Sequence, residues 1–274
     1  MSFASSVGRN SRRGSRMKTA ILVPARLAST RLHEKMLHTI HGKSVLQWVA
    51  ERIRDEVPEI PLYFAVDDDR LRTLLAQSGF EAIMTDTAHT CGTDRIAEAN
   101  RSVQADNVIN VQGDQALVTG AQIRSLVDLI EGDADMATLG IPLEAYAAFN
   151  KRNVDDVYKD PGDVKLVCDR NGNAIYFSRA PVPYFRDAGG DYDGAAASTC
   201  PVLIHLGLYA YTAEFLQSFA SLTPGSLETA EKLEMLRAIE NGYGISVGVS
   251  NDPYIEIDTL EQARDFERYL EKQS

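Results

Sequence analysis

Arg26, Arg31 and Lys35 stand close together in residues 22–35, a run in which Ala25, Ala28, Ser29 and Thr30 leave the backbone open to close approach. The chemistry this fits is binding of a nucleoside triphosphate. A polyanion needs cations that neutralise it and small residues whose N–H groups can reach its oxygens. Arg31 and Lys35 are four apart and project to one side if the segment coils. Two acids follow far downstream. Asp114 ends Val111-Gln112-Gly113-Asp114, and Asp258 ends Ile255-Glu256-Ile257-Asp258. A pair of carboxylates beside phosphate oxygens is the donor set that Mg²⁺ prefers. In 204–209, His205, Gly207 and Tyr209 share one face of an extended segment, with room over the glycine for a polar ligand. Arg179 and Arg186 bracket an irregular stretch and can grip a carboxylate in two-pronged fashion. Each feature taken singly also has a plainer reading: a solvated basic loop, helix caps, a structural histidine, surface ion pairs.

These residues need elements to hold them. Short apolar or β-branched runs at 19–24, 61–66, 81–84, 107–111 and 135–142 alternate with helical periodicity at 44–56, 69–77 and 93–104. That alternation predicts a mainly parallel sheet flanked by helices. Asp114 then falls at the carboxyl edge of a strand, where such sheets present ligands. Ser44 is the expected N-cap of the first helix, Ser78-Gly79 the end of the second, and Asp67, Asp68 and Asp69 its acidic start. Runs at 164–168 and 174–177 flank Asn171-Gly172, a hairpin signal. Residues 181–201 are rich in Pro, Gly, Ala and Asp and read as a functional loop. A strand over 204–211, helices over 212–219 and 226–241, a closing strand over 245–249 and a helix over 259–271 complete the chain. The expectation is one domain over 17–274 with an inserted lobe around 150–205.

The 274 residues are 44% hydrophobic, enough for a sizeable core, with a formal charge of −11. Residues 1–16 hold Arg9, Arg12, Arg13 and Arg16 and no acid, so the body beyond them is more acidic still. An acidic body argues against nucleic-acid binding. The Ser, Arg and Gly richness of 1–16 reads as a disordered tail ahead of Met17. No apolar run approaches the roughly 20 residues that span a bilayer. Cys91, Cys168 and Cys200 have neither disulfide nor zinc spacing, and a cytoplasmic protein is expected.

Pro24-Ala25-Arg26, Ser29-Thr30-Arg31-Leu32, Lys35, Gly92-Thr93-Asp94-Arg95, Val111-Gln112-Gly113-Asp114, Tyr176-Phe177-Ser178-Arg179, His205-Leu206-Gly207, Glu231-Lys232-Leu233-Glu234 and Asp258-Thr259 together resemble the 3-deoxy-manno-octulosonate cytidylyltransferases, the CMP-Kdo synthetases of lipopolysaccharide assembly. The likeness runs over nearly all of 17–271. It implies a Rossmann-like α/β nucleotidyltransferase fold, a homodimer, and CTP and Mg²⁺ as reaction partners. The anomeric hydroxyl of an eight-carbon acid sugar attacks the α-phosphate and pyrophosphate leaves. On this resemblance Pro24, Ala25, Arg26, Arg31, Lys35, Thr93, Arg95 and Gln112 bind the nucleotide, and Arg26, Lys35, Asp114 and Asp258 are catalytic. Asp114 and Asp258 hold the metal, while Arg179, Arg186, His205, Tyr209 and Glu234 surround the sugar. Three places depart from the family pattern. His33-Glu34 precedes Lys35 where Pro is usual, which sets an acid beside the cations. Gln115-Ala116 follows Asp114 where Glu-Pro is usual. Met235 follows Glu234 where Gln is common, a change expected on the sugar side. The departures admit a modified acceptor such as the 8-amino sugar, or a CTP-binding homologue without turnover; transfer to a nine-carbon acid fits the sugar-side segments less well.

Overall fold

In the computed structural model, which describes residues 17–29, 31–89 and 91–273, apolar side chains alternate between two cores, one on each face of a central sheet. The expected tail over 1–16, and Thr30 in the cation loop, lie outside the described residues. Strand β1 (Thr19–Ala25) shows the principle: Ile21, Val23 and Ala25 enter one core, Ala20 and Leu22 the other. A strand apolar on both faces belongs inside a sheet covered by helices on both sides.

A two-residue hairpin, β2 (Thr39–Ile40) and β3 (Lys43–Ser44), leads into α1 (Val45–Glu56), whose Ser44 cap and Gln47 close a reciprocal capping box. β4 (Leu62–Val66), α2 (Asp69–Gln77), β5 (Glu81–Met84), α3 (Gly92–Val103) and β6 (Asn107–Asn110) follow near the expected positions. Then come α4 (Gly120–Glu131), β7 (Met136–Pro142), α5 (Leu143–Phe149) and α6 (Val154–Lys159). The three helices were not expected from the sequence. The hairpin β8 (Lys165–Cys168) and β9 (Ala174–Ser178) turns at Gly172, whose φ of +80° suits glycine. After a 3₁₀ turn over Arg186–Ala188 and a short helix α7 (Gly194–Ala197) inside the irregular stretch come β10 (Leu203–Thr212) and α8 (Ala213–Ser221). α9 (Ser226–Glu231), α10 (Leu236–Glu240), β11 (Ser246–Val249) and α11 (Leu260–Glu271) end the chain.

The sheet has the order β11-β7-β10-β6-β1-β4-β5, with β8 attached to β10 and β9 to β8. β1, β4, β5 and β6 are parallel, as are β7 and β11, but β10 runs antiparallel between β6 and β7. The reversal brings the start of β10 beside the carboxyl ends of its neighbours, where the ligands are expected. Segment 150–205 is not detached. Its β8 extends the sheet, while Val157, Tyr158, Phe185 and Val202 enter one core and Leu166 and Phe177 the other.

Two expectations need correction. The helix expected over 226–241 is broken: Lys232 takes a left-handed conformation at the end of α9, and Leu233 and Met235 turn into the core before α10 begins. Asp67 does not start α2. Asp68 caps that helix, and Asp67 instead accepts hydrogen bonds from Leu27 N (2.9 Å) and Arg95 (3.1 Å).

Candidate active site

The cation loop leaves the carboxyl end of β1 and closes on one turn of 3₁₀ helix over Lys35–Leu37. Leu32 and Met36 are buried beneath it, which anchors the turn and aims Lys35 inward. The Lys35 ammonium lies 2.5 Å from Asp114 Oδ2 and 2.5 Å from Asp258 Oδ1, with about one-tenth of the side chain exposed. Arg31 pairs with the other oxygen of Asp258. Burial works against the charge on Lys35, but the two aspartates outweigh it and hold the ammonium protonated, above its ordinary range. Arg26 is exposed and lines the same cleft, about 300 Å³ in volume.

Asp114 reaches this point because Gly113 can. A Cβ there would stand 3.0 Å from Met36 Sδ and 3.2 Å from the Pro24 carbonyl, so the strand end passes the loop only without a side chain. Neither aspartate is a helix cap: Thr119 caps α4 and Thr259 caps α11. The segment carrying Asp258 is tied to Asp114 by a hydrogen bond from Ile257 N to the Asp114 carbonyl, 3.0 Å. Glu256 comes with it. Oxygens of Asp114, Glu256 and Asp258 lie within 4.8 Å of one another. Burial, with the lysine pulling the other way, raises the Asp114 carboxyl. Burial and the two aspartate charges push Glu256 up to about 8. Asp114 Oδ1 is buried with no hydrogen-bond partner among the described residues. Three clustered carboxylates with an unused buried acceptor fit a hard divalent cation.

Helix α3 points its amino end at the cleft, where Cys91 and Gly92 form part of the wall with Pro24 and Gln112. Unpaired N–H groups at that end favour an anion. Arg95 also lines the cleft but is braced, donating to Thr85 Oγ1 at 2.7 Å and to Asp67. Thr93 is buried and donates to Glu234 Oε2 at 2.8 Å, so its hydroxyl faces the segment between α9 and α10 rather than the cleft. Ala25 is buried under the loop and offers backbone alone.

His205 and Tyr209 stand together on one face of β10, ring centroids 5.3 Å apart. Thr138 commits its one proton to the Leu208 carbonyl at 2.7 Å and so accepts from His205 Nε2 at 3.1 Å. That fixes the tautomer with the proton on Nε2 and leaves Nδ1 as an acceptor. Burial pushes the imidazole down to about 3, so the ring is neutral. Between them, Gly207 faces Gln115 and Tyr254, whose hydroxyl accepts from Gln115 Nε2 at 3.2 Å. The other three residues expected around the sugar are placed differently. Glu234 sits with Thr93 behind the start of α3, its Oε1 buried without a hydrogen-bond partner among the described residues. Arg179 donates to the carbonyls of Glu231 (2.7 Å) and Pro161 (2.9 Å). Arg186 is exposed and pairs with its neighbour Asp187. The two arginines do not form a joint clamp here, because each is already engaged locally.

A family model described as Cytidylyltransferase matches residues 20–250. The chain belongs to the cytidylyltransferase family. It is 42% identical over 254 residues to the 8-amino-3,8-dideoxy-manno-octulosonate cytidylyltransferase of Shewanella halifaxensis (strain HAW-EB4), covering 90% of this chain and 96% of that one. It is 42% identical over 250 residues to the 3-deoxy-manno-octulosonate cytidylyltransferase of Syntrophobacter fumaroxidans (strain DSM 10017 / MPOB), covering 89% and 94%. A solved structure of CMP:2-keto-3-deoxy-manno-octonic acid synthetase complexed with CTP superposes with a TM-score of 0.81 at 31% identity, over 94% of this chain and all of that one.

The three departures look different once placed in this cytidylyltransferase. Glu34 does not sit with Arg26, Arg31 and Lys35: its left-handed backbone turns the carboxylate out to Arg70, 2.8 Å away. Met235 is 5% exposed and packs in a core, so it is not on a ligand surface. Gln115 is the departure that touches the site, through Tyr254 and by accepting from Gln112 N at 3.2 Å. The sequence reading missed Glu256, although the alternation Ile-Glu-Ile-Asp puts 256 and 258 on one side of an extended segment. It also missed the bracing role of Asp67, the wall residues His89 and Cys91, and Tyr254 beside Gln115, for which type and spacing carry no signal.

Proposed function

We propose that this cytidylyltransferase transfers CMP from CTP to the anomeric hydroxyl of 3-deoxy-manno-octulosonate or its 8-amino analogue, releasing pyrophosphate. The observation that carries the reading is the meeting of Lys35 and Arg31 with Asp114 and Asp258 in the cleft that Arg26 and the amino end of α3 also line. Arg26, Arg31 and Lys35 lie against the triphosphate, and Gln112, Arg95 and the Pro24-Ala25 backbone bound the nucleoside side. The acceptor lies on the His205–Tyr209 face of β10, where Nδ1 of the neutral imidazole accepts from a sugar hydroxyl. Its C2 hydroxyl gives up its proton to water as the oxygen attacks the α-phosphorus and the bond from that phosphorus to the bridging oxygen breaks, and Lys35 and Arg31 stabilise the charge that departs with pyrophosphate. Asp114 and Asp258 would hold Mg²⁺, which neutralises phosphate charge and lowers the pKa of a bound hydroxyl. Thr93 and Glu234 shape the start of α3 from behind, and Arg179 and Arg186 belong to the 150–205 lobe, which completes the acceptor site and a homodimer contact. A cytoplasmic location follows from the need for nucleoside triphosphate.

Pyrophosphate release is measured with CTP and Mg²⁺ against the eight-carbon acid, its 8-amino analogue and a nine-carbon sialic acid, with ATP and UTP as controls. Turnover of an eight-carbon acid with CTP is expected. Silence with all three acids despite CTP binding would overturn the reading in favour of a non-catalytic homologue. Light scattering should give twice the 30.1 kDa chain mass.

A further inference from the structure

The space expected over Gly207 is shared by two side chains of this protein. A Cβ on Gly207 would stand 3.1 Å from Gln115 Nε2 and 3.6 Å from Tyr254 Oη, so the missing side chain is what lets the amide come this close to β10. Ile204, Leu206, Leu208 and Ala210 all enter one core, so position 207 faces the same way as His205 and Tyr209. The Tyr254 hydroxyl therefore lies at the proposed acceptor face, over the residue between its histidine and its tyrosine.

The direction of each hydrogen bond there is decided by its donors. Gln112 N can only donate, so the buried Gln115 amide turns its oxygen to it, at 3.2 Å. The other end of the amide is then the NH2 group, which donates to Tyr254 Oη at 3.2 Å. Gly207 N donates to the same oxygen from 3.5 Å. Two donors thus face the phenol oxygen, and its own proton goes to no group among the described residues. Arg179 and Arg186 are engaged locally, so an acid sugar on this face needs donors from elsewhere.

We infer that Tyr254 is an acceptor-binding residue whose O–H donates to an oxygen of the acid sugar, and that Gln115 is the positioning residue that keeps that proton free. This rests on the ulosonate cytidylyltransferase reading. A glutamate at 115 has nearly the same shape but reverses the bond. A carboxylate only accepts, so it draws in the tyrosine's proton and leaves the ligand none. The chemistry of one buried side chain thus sets whether Tyr254 serves the acceptor.

The test is a double-mutant cycle in acceptor KM with Y254F, Q115E and the pair, assayed by pyrophosphate release with the 8-hydroxy and 8-amino acids. Y254F removes only the hydroxyl. It should raise acceptor KM about 10-fold, with kcat and the KM for CTP within about twofold of native. Q115E should raise acceptor KM by a similar factor. Once the phenol proton is gone, Q115E should add nothing to Y254F, so the pair matches either single variant. CTP-dependent thermal stabilisation of each variant checks that it is folded. An acceptor KM unmoved by Y254F would overturn the binding role and leave the hydroxyl a brace against β10. A Q115E penalty that persists in full alongside Y254F would overturn the positioning role, since the new charge beside Asp114 then accounts for it. Turnover of neither acid by the native protein removes the parent reading as well, an outcome distinct from both of these.

Discussion

Asp114 and His205 mark the two halves of the proposed site, and each has a substitution that tests it. Changing Asp114→Asn keeps the size of the side chain and removes the charge that Lys35 and the proposed metal share. Lys35 retains Asp258 at 2.5 Å, so no cation is stranded and the protein should still fold. Pyrophosphate release should fall by about 10²-fold or more, the scale of losing one electrostatic group in a preorganised site. Circular dichroism melts and a coupled pyrophosphate assay measure the two effects separately. His205 gives a pH signature. Its pKa is about 3 in the folded protein and about 6.5 unfolded, so the unfolded chain takes up a proton first on acidification. The stability held above pH 6.5 is lost as pH falls towards 3, by up to about 2 kcal/mol at pH 5. His205→Gln should flatten that part of the curve in urea titrations at pH 7.5 and pH 5. An unchanged slope would mean the imidazole is not held neutral.

At the scale of elements, the lobe and the sheet are joined by a lysine rather than by apolar packing alone. Lys165 on β8 is fully buried and donates to three carbonyls, those of Asp160 and Asp163 at 2.7 Å and of Arg179 at 2.8 Å. It ties the turn after α6 to the end of β9. Glu231, at the end of α9, closes the same corner by accepting from Ser178 Oγ at 2.8 Å and Arg179 N at 2.9 Å. Lys165→Met keeps the aliphatic stem but leaves the carbonyls unpaired, which should cost about 3 kcal/mol or more. For a chain of this size that lowers Tm by roughly 6–12 °C, readable by calorimetry. Because Arg179 hangs from this corner, acceptor KM should rise more than CTP KM. Lys165 did not stand out in the sequence, and Glu231 entered only as part of the Glu231–Glu234 segment with no role attached: three-dimensional closure alone gives them their role.

Across the whole molecule, the legible part of the sequence was what local periodicity controls. The parallel strands β1, β4, β5 and β6 and helices α1, α2 and α3 repeat one covered unit, and each carries its own apolar pattern and caps. Long-range choices left no such trace. The reversed direction of β10, the break at Lys232 and the approach of Glu256 to Asp114 are decided by what packs against them. The cation loop and both aspartates were readable because charge and small residues are conspicuous near strand ends. β10 also holds an irregularity: Leu206 pairs with Leu139 and Tyr209 with Thr138, so two additional residues, Gly207 and Leu208, bulge out against the Thr138 hydroxyl. Ile204, Leu206, Leu208 and Ala210 nevertheless all enter one core, while Leu203 and Tyr211 enter the other. The insertion is even in number, so the strand leaves the bulge in phase with how it entered. Deleting Gly207 alone should flip one half of β10 and abolish folding; deleting 207–208 together should give soluble protein that binds CTP but no acceptor, as thermal shift with each ligand would show. Chain length at this point is therefore constrained by parity, and variation in the proposed acceptor pocket through this strand is open to descendants only in steps of two.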